Sequence, residues 1–415
     1  MSDPRTDLSP LVSGLSAFPD FVVVRDGSRA CVGVEPVELV RVSGPGSFDA
    51  LDALTPGWWA GFLAFDLGRS VERVPGLATD DLGLPDVLLA RFDARAELDL
   101  VEGSASVVGR GAAARRLRRL LDGGARAGAP IPVGPGAVEL GSPTSSLDRH
   151  AYTARVARVI EHIRAGDCYQ VNLTRRLSWP RRADPVALFA SLGERNPAPH
   201  ATLLKLDGVA VISASPERFL RWCGGGGVET RPVKGTSADA AALRASAKDR
   251  AENVMIVDLA RNDLGRVCEP GSIHVPSLCA LEAHPGLHHL VSTVRGHRRA
   301  NTTLGDLLRA TMPPASVTGA PKPRVLEIIE ELEPVRRGVY CGAIGWLDTS
   351  RDTGDLAVAI RTFTTTAAGT SLGVGAGIVA DSDPVAEWQE TELKAARLLA
   401  AAGAVPAPQF AGVPR

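Results

Sequence analysis

The sequence predicts a fold mixing helices and strands, of the α/β (α+β) class, over 415 residues. Three observations carry this. Apolar runs rich in β-branched residues recur at Phe21 to Val24, Val37 to Val42, Val209 to Ala214, Val339 to Leu347 and Leu356 to Thr366. Between them lie segments with apolar residues at helical spacing, near 248–261, 321–333 and 384–401. No segment repeats at a period of about 20 to 50 residues, which excludes a solenoid or a propeller.

Taken in order, the chain begins MSDPRTDLSP, without the basic and apolar pattern of a targeting segment. No run approaches the roughly 18 apolar residues that span a membrane, so a cytoplasmic protein without a membrane partner is expected. The first third mixes short strands with an aromatic and glycine segment, GWWAGFLAFDLGR, at Gly57 to Arg69. A helix follows in AAARRLRRLLDGG, with Gly123 and Gly124 as its stop. The stretch Gly124 to Ser146 is rich in Gly, Pro and Ser and marks a boundary between an amino-terminal region, 1–146, and a second domain, 147–402. In that domain Tyr152, Val156, Ile160 and Ile163 share one helix face, and Gly166-Asp167 ends the helix before a strand, YQVNLTRRL. Residues 403–415 read as a frayed tail.

A net charge of -1, from 46 basic and 47 acidic residues, supplies no field for holding nucleic acid. The substrate is therefore expected to be small, and any anion must be met by a local cluster of cations. The six cysteines show no Cys-x-x-Cys spacing, so they read as reduced thiols rather than zinc ligands or a redox pair.

Only five of the 46 basic residues are lysines: Lys205, Lys234, Lys248, Lys322 and Lys394. In a chain this biased toward arginine, a retained lysine marks a position where guanidinium cannot substitute, because only an amine deprotonates to act as nucleophile or base. Lys234, in RPVKGT, is such a position, set against the plain alternative of a solvated surface lysine.

Several groupings carry possible chemistry. Asp249 and Glu252 stand three apart on one helix, and Glu387 and Glu390 three apart on another, with Lys394 four further on. Paired carboxylates without His or Cys partners suit a hard ion such as Mg²⁺, although charges at this spacing also make an ordinary solvated face. SVTGAPKPR, Ser316 to Arg324, sets hydroxyls and a glycine before a helix, where backbone amides hold anions or merely cap the helix. Arg361 interrupts an apolar strand in LAVAIRTFT and needs an anionic partner, either internal or a ligand carboxylate. Glycines in GVGAGIVADSD, Gly373 to Asp383, let backbone approach a ligand, without the context of a dinucleotide fold. His288-His289 precedes an apolar strand, and Glu217 stands at a strand end in SASPERFL, where an ion pair with Arg218 or Arg221 is the simpler reading.

Taken together, GDCYQVNL, SPERF, RPVKGT, KDRAENVMIVDLARNDLG, HHLVSTVRG, SVTGAPK, RGVYCGAIG, AIRTF, GAGIVADSD and EWQETELK resemble the chorismate-utilising enzymes. They run in the family's order over about residues 150–402. The resemblance implies two large β-sheets in a sandwich with helices outside, the amino-terminal segment adding strands to the same body. Position by position it implies that Glu217 assists loss of the C4 hydroxyl, and that Glu252 and Glu390 bind Mg²⁺ with Asp249 and Glu387 behind them. Tyr340, Arg361, Lys394 and the backbone near Gly375 to Gly377 would hold the substrate carboxylates, with Thr318 and His289 lining the ring site and Gln170 also binding substrate.

Within the family the resemblance is to the branch that aminates chorismate at C4 on the way to p-aminobenzoate and folate. Lysine at position 234 is the distinguishing residue, since the 2-aminating anthranilate synthases usually carry alanine there. The branches that add water place a lysine base where this chain has Gln170, and glutamine cannot deprotonate water. The amino-terminal region is matched only loosely, by GWWAGFLAFD, and the residues after KGT, SADAA, depart from the family's usual Pro-Arg. No G-x-C-x-G elbow of a glutaminase is present. Ammonia is therefore expected from a separate glutamine amidotransferase subunit or from free ammonium.

Overall fold

The computed structural model describes residues 9–124, 138–284 and 287–404. The expected tail lies outside these residues beyond Ala404, as do residues 125–137 of the Gly-, Pro- and Ser-rich stretch. Two large antiparallel sheets make up the body. An eleven-stranded sheet runs from Gly319–Ala320 through Gln170–Trp179, Gly369–Ile378, Thr362–Thr366, Val209–Ser215, His200–Leu206, Phe21–Asp26 and Arg29–Val34 to Ala94–Asp99 and Ser104–Gly109, with Thr144–Ser145 beside the second of these. A ten-stranded sheet runs from Val233–Ser237 through Leu287–His297, Gly227–Thr230, Arg218–Trp222, Thr353–Val358, Ala343–Asp348 and Trp58–Leu63 to Val87–Phe92 and Glu38–Val42, with His274–His284 also paired to Leu287–His297.

Strands from before and after the Gly-rich stretch share both sheets. Phe21–Asp26 pairs with His200–Leu206, and Trp58–Leu63 pairs with Ala343–Asp348. Successive strand residues point to opposite faces, which sorts the aromatic segment. Trp58, Ala60 and Phe62 meet Val22, Val24, Leu204, Val211 and Ile344 between the sheets. Trp59 and Leu63 face the other way, into an apolar layer with Leu51, Leu307 and Leu308 from helices. The run Phe21 to Val24 does not alternate because both faces are covered. Phe21 and Val23 pack outward with Leu117, Leu188 and Leu398 from helices, while Val22 and Val24 point inward.

Two expected strands are shorter or broken. The run from Val339 becomes a strand only at Ala343. The run Leu356 to Thr366 divides into Thr353–Val358 and Thr362–Thr366, which belong to different sheets. Arg361 sits in the crossing with φ +52°, a left-handed conformation that ends a strand. A second crossing lies beside it, where Val209–Ser215 leaves one sheet and Arg218–Trp222 enters the other through Pro216 and Glu217. The crossings are bonded together. Ser215 Oγ donates to the Val358 carbonyl at 2.6 Å, the Val358 amide to Glu217 at 3.0 Å and the Ala214 amide to Arg361 at 3.0 Å.

Arg218, next to this seam, is buried among carboxylates. It donates to Asp26 at 2.6 Å, to Asp355 at 3.0 and 3.1 Å, and to Glu229 at 3.2 Å. Removing one partner of such a network leaves uncompensated buried charge, so Arg218→Ala is expected to lower stability by about 3 to 5 kcal/mol. A shift of the urea midpoint measures it, and an unchanged midpoint would mean that the carboxylates are relieved by protonation or water.

Candidate active site

The seam opens into a cavity of about 610 Å³ walled by both sheets and two helices. Glu217 reaches it from the crossing after Pro216 and is 4% exposed. Burial pushes its carboxyl up to about 7, against hydrogen bonds from Ser316 and the Val233 backbone and the charge of Lys234. Near neutral pH this group therefore still holds a proton for much of the time.

Lys234 comes from the edge strand Val233–Ser237, where the pairing with Leu287–His297 shifts register between Lys234 and Thr236. The extra residue is Gly235, at φ +79°, and a Cβ there would stand 2.9 Å from Asp249 Cβ. Glycine thus lets the helix Ala247–Gly265 close on the strand that carries the lysine. Lys234 Nζ donates to the Ser316 carbonyl at 2.9 Å. Burial lowers its pKa, Lys394 adds to this, and Glu252 and Glu217 oppose it. The amine is thereby biased toward its neutral, nucleophilic form.

The helix Ala247–Gly265 is capped by Ser246 and anchored by Asn253, whose side chain donates to the Leu290 carbonyl at 3.1 Å. Its first turns present Asp249 and Glu252 to the cavity. Burial raises the Glu252 carboxyl, with Asp249 and Glu390 adding to the effect and Lys234 and Lys248 opposing it. The helix Pro384–Ala401, capped by Asp383, brings Glu390 and Lys394. Lys394 Nζ bonds Glu390 at 2.6 Å and the Gly375 carbonyl at 3.0 Å. Burial opposes ionisation of Glu390, but Lys394, Lys248 and Lys234 outweigh it and hold the carboxyl below its usual value.

Arg361, Tyr340, His289, Gly375 and Gly377 line the same cavity. His289 Nδ1 lies 2.8 Å from Thr236 Oγ1. Burial holds the Tyr340 hydroxyl protonated, and its ring lies where Gly373 has no side chain, 2.1 Å from the position a Cβ would take. Two expected lining residues, Thr318 and Gln170, stand behind the wall instead, and Glu387 also lies outside the lining. Thr318 is fully buried and donates to the Pro314 carbonyl at 2.8 Å, leaving Ser316 and Val317 to line the cavity. Glu387 accepts from Ser382 Oγ at 2.6 Å. Gln170 is buried behind Gly377, its amide nitrogen 2.5 Å from where a Cβ on that glycine would be. The structure adds Lys248 and Arg397 to the lining. Lys248 was visible as a rare lysine one residue before Asp249, and Arg397 as a cation three residues after Lys394 on one helix face.

The acidic wall fits a hard divalent cation. All its donors are oxygens, and Glu387 Oε2 beside Glu390 is buried without a partner among the described residues. A second grouping, Asp26, His200 and Asp355, also brings possible ligand atoms within 4.8 Å. Arg218 already bonds both of its carboxylates, and burial pushes the imidazole down to about 4, so that grouping is a closed ion network.

Residues 35–400 match the family described as chorismate binding enzyme. The chain belongs to this family. The chorismate-binding enzymes it resembles include aminodeoxychorismate synthase component 1 of Klebsiella aerogenes, 40% identical over 349 residues, covering 82% of this chain and 76% of that protein. Anthranilate synthase component 1 of Thermus thermophilus is 40% identical over 358 residues, 83% of this chain and 77% of that protein. Among solved structures, anthranilate synthase component I of Streptococcus pneumoniae superposes with a TM-score of 0.78 at 28% identity, over 90% of this chain and 92% of that one. Relatives of both names thus match this chain at equal identity. Among the described residues no helix is long and apolar enough to cross a membrane.

Proposed function

We propose that this chorismate-binding enzyme aminates chorismate at C4, giving 4-amino-4-deoxychorismate, as the first component of an aminodeoxychorismate synthase. The observation that carries the reading is Lys234, an amine lowered in pKa and poised between Glu217 and Glu252 in the cavity. An alanine there would offer the ring no nucleophile.

In this reading the Lys234 amine bonds to C2 of the ring. Electrons shift through the two ring double bonds and expel the C4 hydroxyl, which takes the Glu217 proton and leaves as water. Ammonia then bonds to C4, the C2–nitrogen bond breaks, the lysine amine is returned, and the Glu217 carboxylate takes the proton that the new amine sheds. Arg361, Tyr340, Lys394 and the Gly375 to Gly377 backbone hold the carboxylates, and His289 stands at the ring. Gln170 and Thr318 shape the wall from behind. Glu252 and Glu390, with Asp249 and Glu387 supporting them, would hold Mg²⁺, which would supply charge neutralisation at a substrate carboxylate. Ammonia comes from a separate glutamine amidotransferase subunit.

The test is product analysis with chorismate, Mg²⁺ and ammonium, followed by an aminodeoxychorismate lyase. p-Aminobenzoate is the expected product. Anthranilate in its place would move the protein to the 2-aminating branch, a reading that the Thermus thermophilus relative keeps open.

A further inference from the structure

Five cations line the cavity, and three of them have work there already. Lys394 is paired with Glu390. Lys234 is bonded to the Ser316 carbonyl between Glu217 and Glu252. Lys248 stands in the field of Glu252, Glu387 and Glu390. The remaining two are Arg361 and Arg397. Neither makes an ion pair with any described carboxylate, and Arg361 feels the charge of Arg397 ahead of the opposing charge of Glu217. Two guanidinium groups facing one space repel each other unless an anion is to lie between them.

The two differ in what holds them. Arg361 is set rigidly on the sheet crossing by its left-handed backbone and by the bond from the Ala214 amide. Arg397 stands on a flexible stem at the exposed rim, one helical turn beyond Lys394 and beside the 62% exposed Leu393. A substrate with one carboxylate on a small ring and a second borne two ring positions away matches one fixed and one mobile fork.

We propose that Arg397 is a substrate-recognition residue that takes one carboxylate of a cyclic dicarboxylate at the cavity rim and so selects dianions over monoanions. This rests on the reading of the cavity as a chorismate site. As an ordinary solvated arginine on a helix surface, it would affect neither binding nor selectivity.

Calorimetric binding and steady-state kinetics of Arg397→Ala and Arg397→Lys provide the test. For Arg397→Ala the Kd and KM of chorismate are expected to rise about tenfold, with kcat within about twofold, and the loss to shrink at high salt. Arg397→Lys should recover most of the affinity. Isophthalate, with two carboxylates, should lose affinity for Arg397→Ala, and benzoate, with one, should not. An unchanged chorismate Kd, or equal losses for isophthalate and benzoate, would overturn the assignment, as would a fall in kcat accompanied by a lower Tm. Should the protein bind chorismate without forming the 4-amino product, the C4 reading fails, while the binding comparison still decides the role of Arg397. Absence of binding by both dicarboxylates to the unaltered protein sinks both.

Discussion

Lys234→Ala is expected to lower 4-amination of chorismate by at least about a hundredfold, the lower end of what a positioned nucleophile or acid-base group contributes. The mechanism requires more than a rate. With chorismate and Mg²⁺ but no ammonia, mass spectrometry of the denatured protein should find chorismate minus water attached to Lys234. The same adduct persisting in Lys234→Ala would end the assignment, whatever the rate. The lowered pKa has a direction too. Burial disfavours the ammonium form, so the neutral amine is available at a lower pH than that at which a free lysine supplies it.

Glu217→Gln should be the second large loss, about 10² to 10⁴-fold in kcat, because glutamine cannot deliver a proton to the leaving hydroxyl. The pH dependence follows from the carboxyl raised to about 7. Proton donation is available below that pH and is lost as pH rises through it, so kcat should fall on the alkaline side. Stability carries the same sign. The folded state prefers the protonated acid, a contribution fully present below about pH 4.5, the unfolded value, and lost as pH rises through about 7. At pH 8.5 Glu217→Gln should therefore be more stable than the parent, by up to about 3 kcal/mol, and at pH 4 no more stable. A thermal or urea titration at the two pH values decides it. Equal differences at both would mean that Glu217 has the same pKa folded and unfolded, so that burial does not raise it.

Much of the site was legible because its residues are punctuated by local chemistry. Carboxylates three apart, a lysine followed by glycine, and glycines alternating along a strand are patterns set by helix and strand period, and the structure brings all of them except Glu387 to one cavity. What could not be read was the path of the chain between sheets. Leu356 to Thr366 reads as one β-branched run interrupted by Arg361, yet at Arg361 the chain leaves one sheet and enters the other. Hydrophobic periodicity reports burial on a face and not which sheet supplies that face. The same blindness affects Thr318 and Gln170. Motif position placed them near the cavity, but whether a side chain stands in front of the wall or behind it depends on turns such as that bonding Thr318 to Pro314. Lys248 and Arg397 are hard to single out for the opposite reason, being exposed cations of a kind usually solvated.

The adjacent sheet crossings also bear on when the protein becomes competent. Glu217 and Arg361 lie far apart in the chain and are joined by bonds between Ala214 and Arg361 and between Ser215 and Val358. Neither crossing can form correctly until strands distant in sequence have found each other, and such non-local pairing is slow. During refolding, helices and hairpins can be complete while the acid and the guanidinium are still on separate pieces of chain. Recovery of chorismate binding should then lag behind recovery of secondary structure, making ligand affinity the stricter measure of a finished fold.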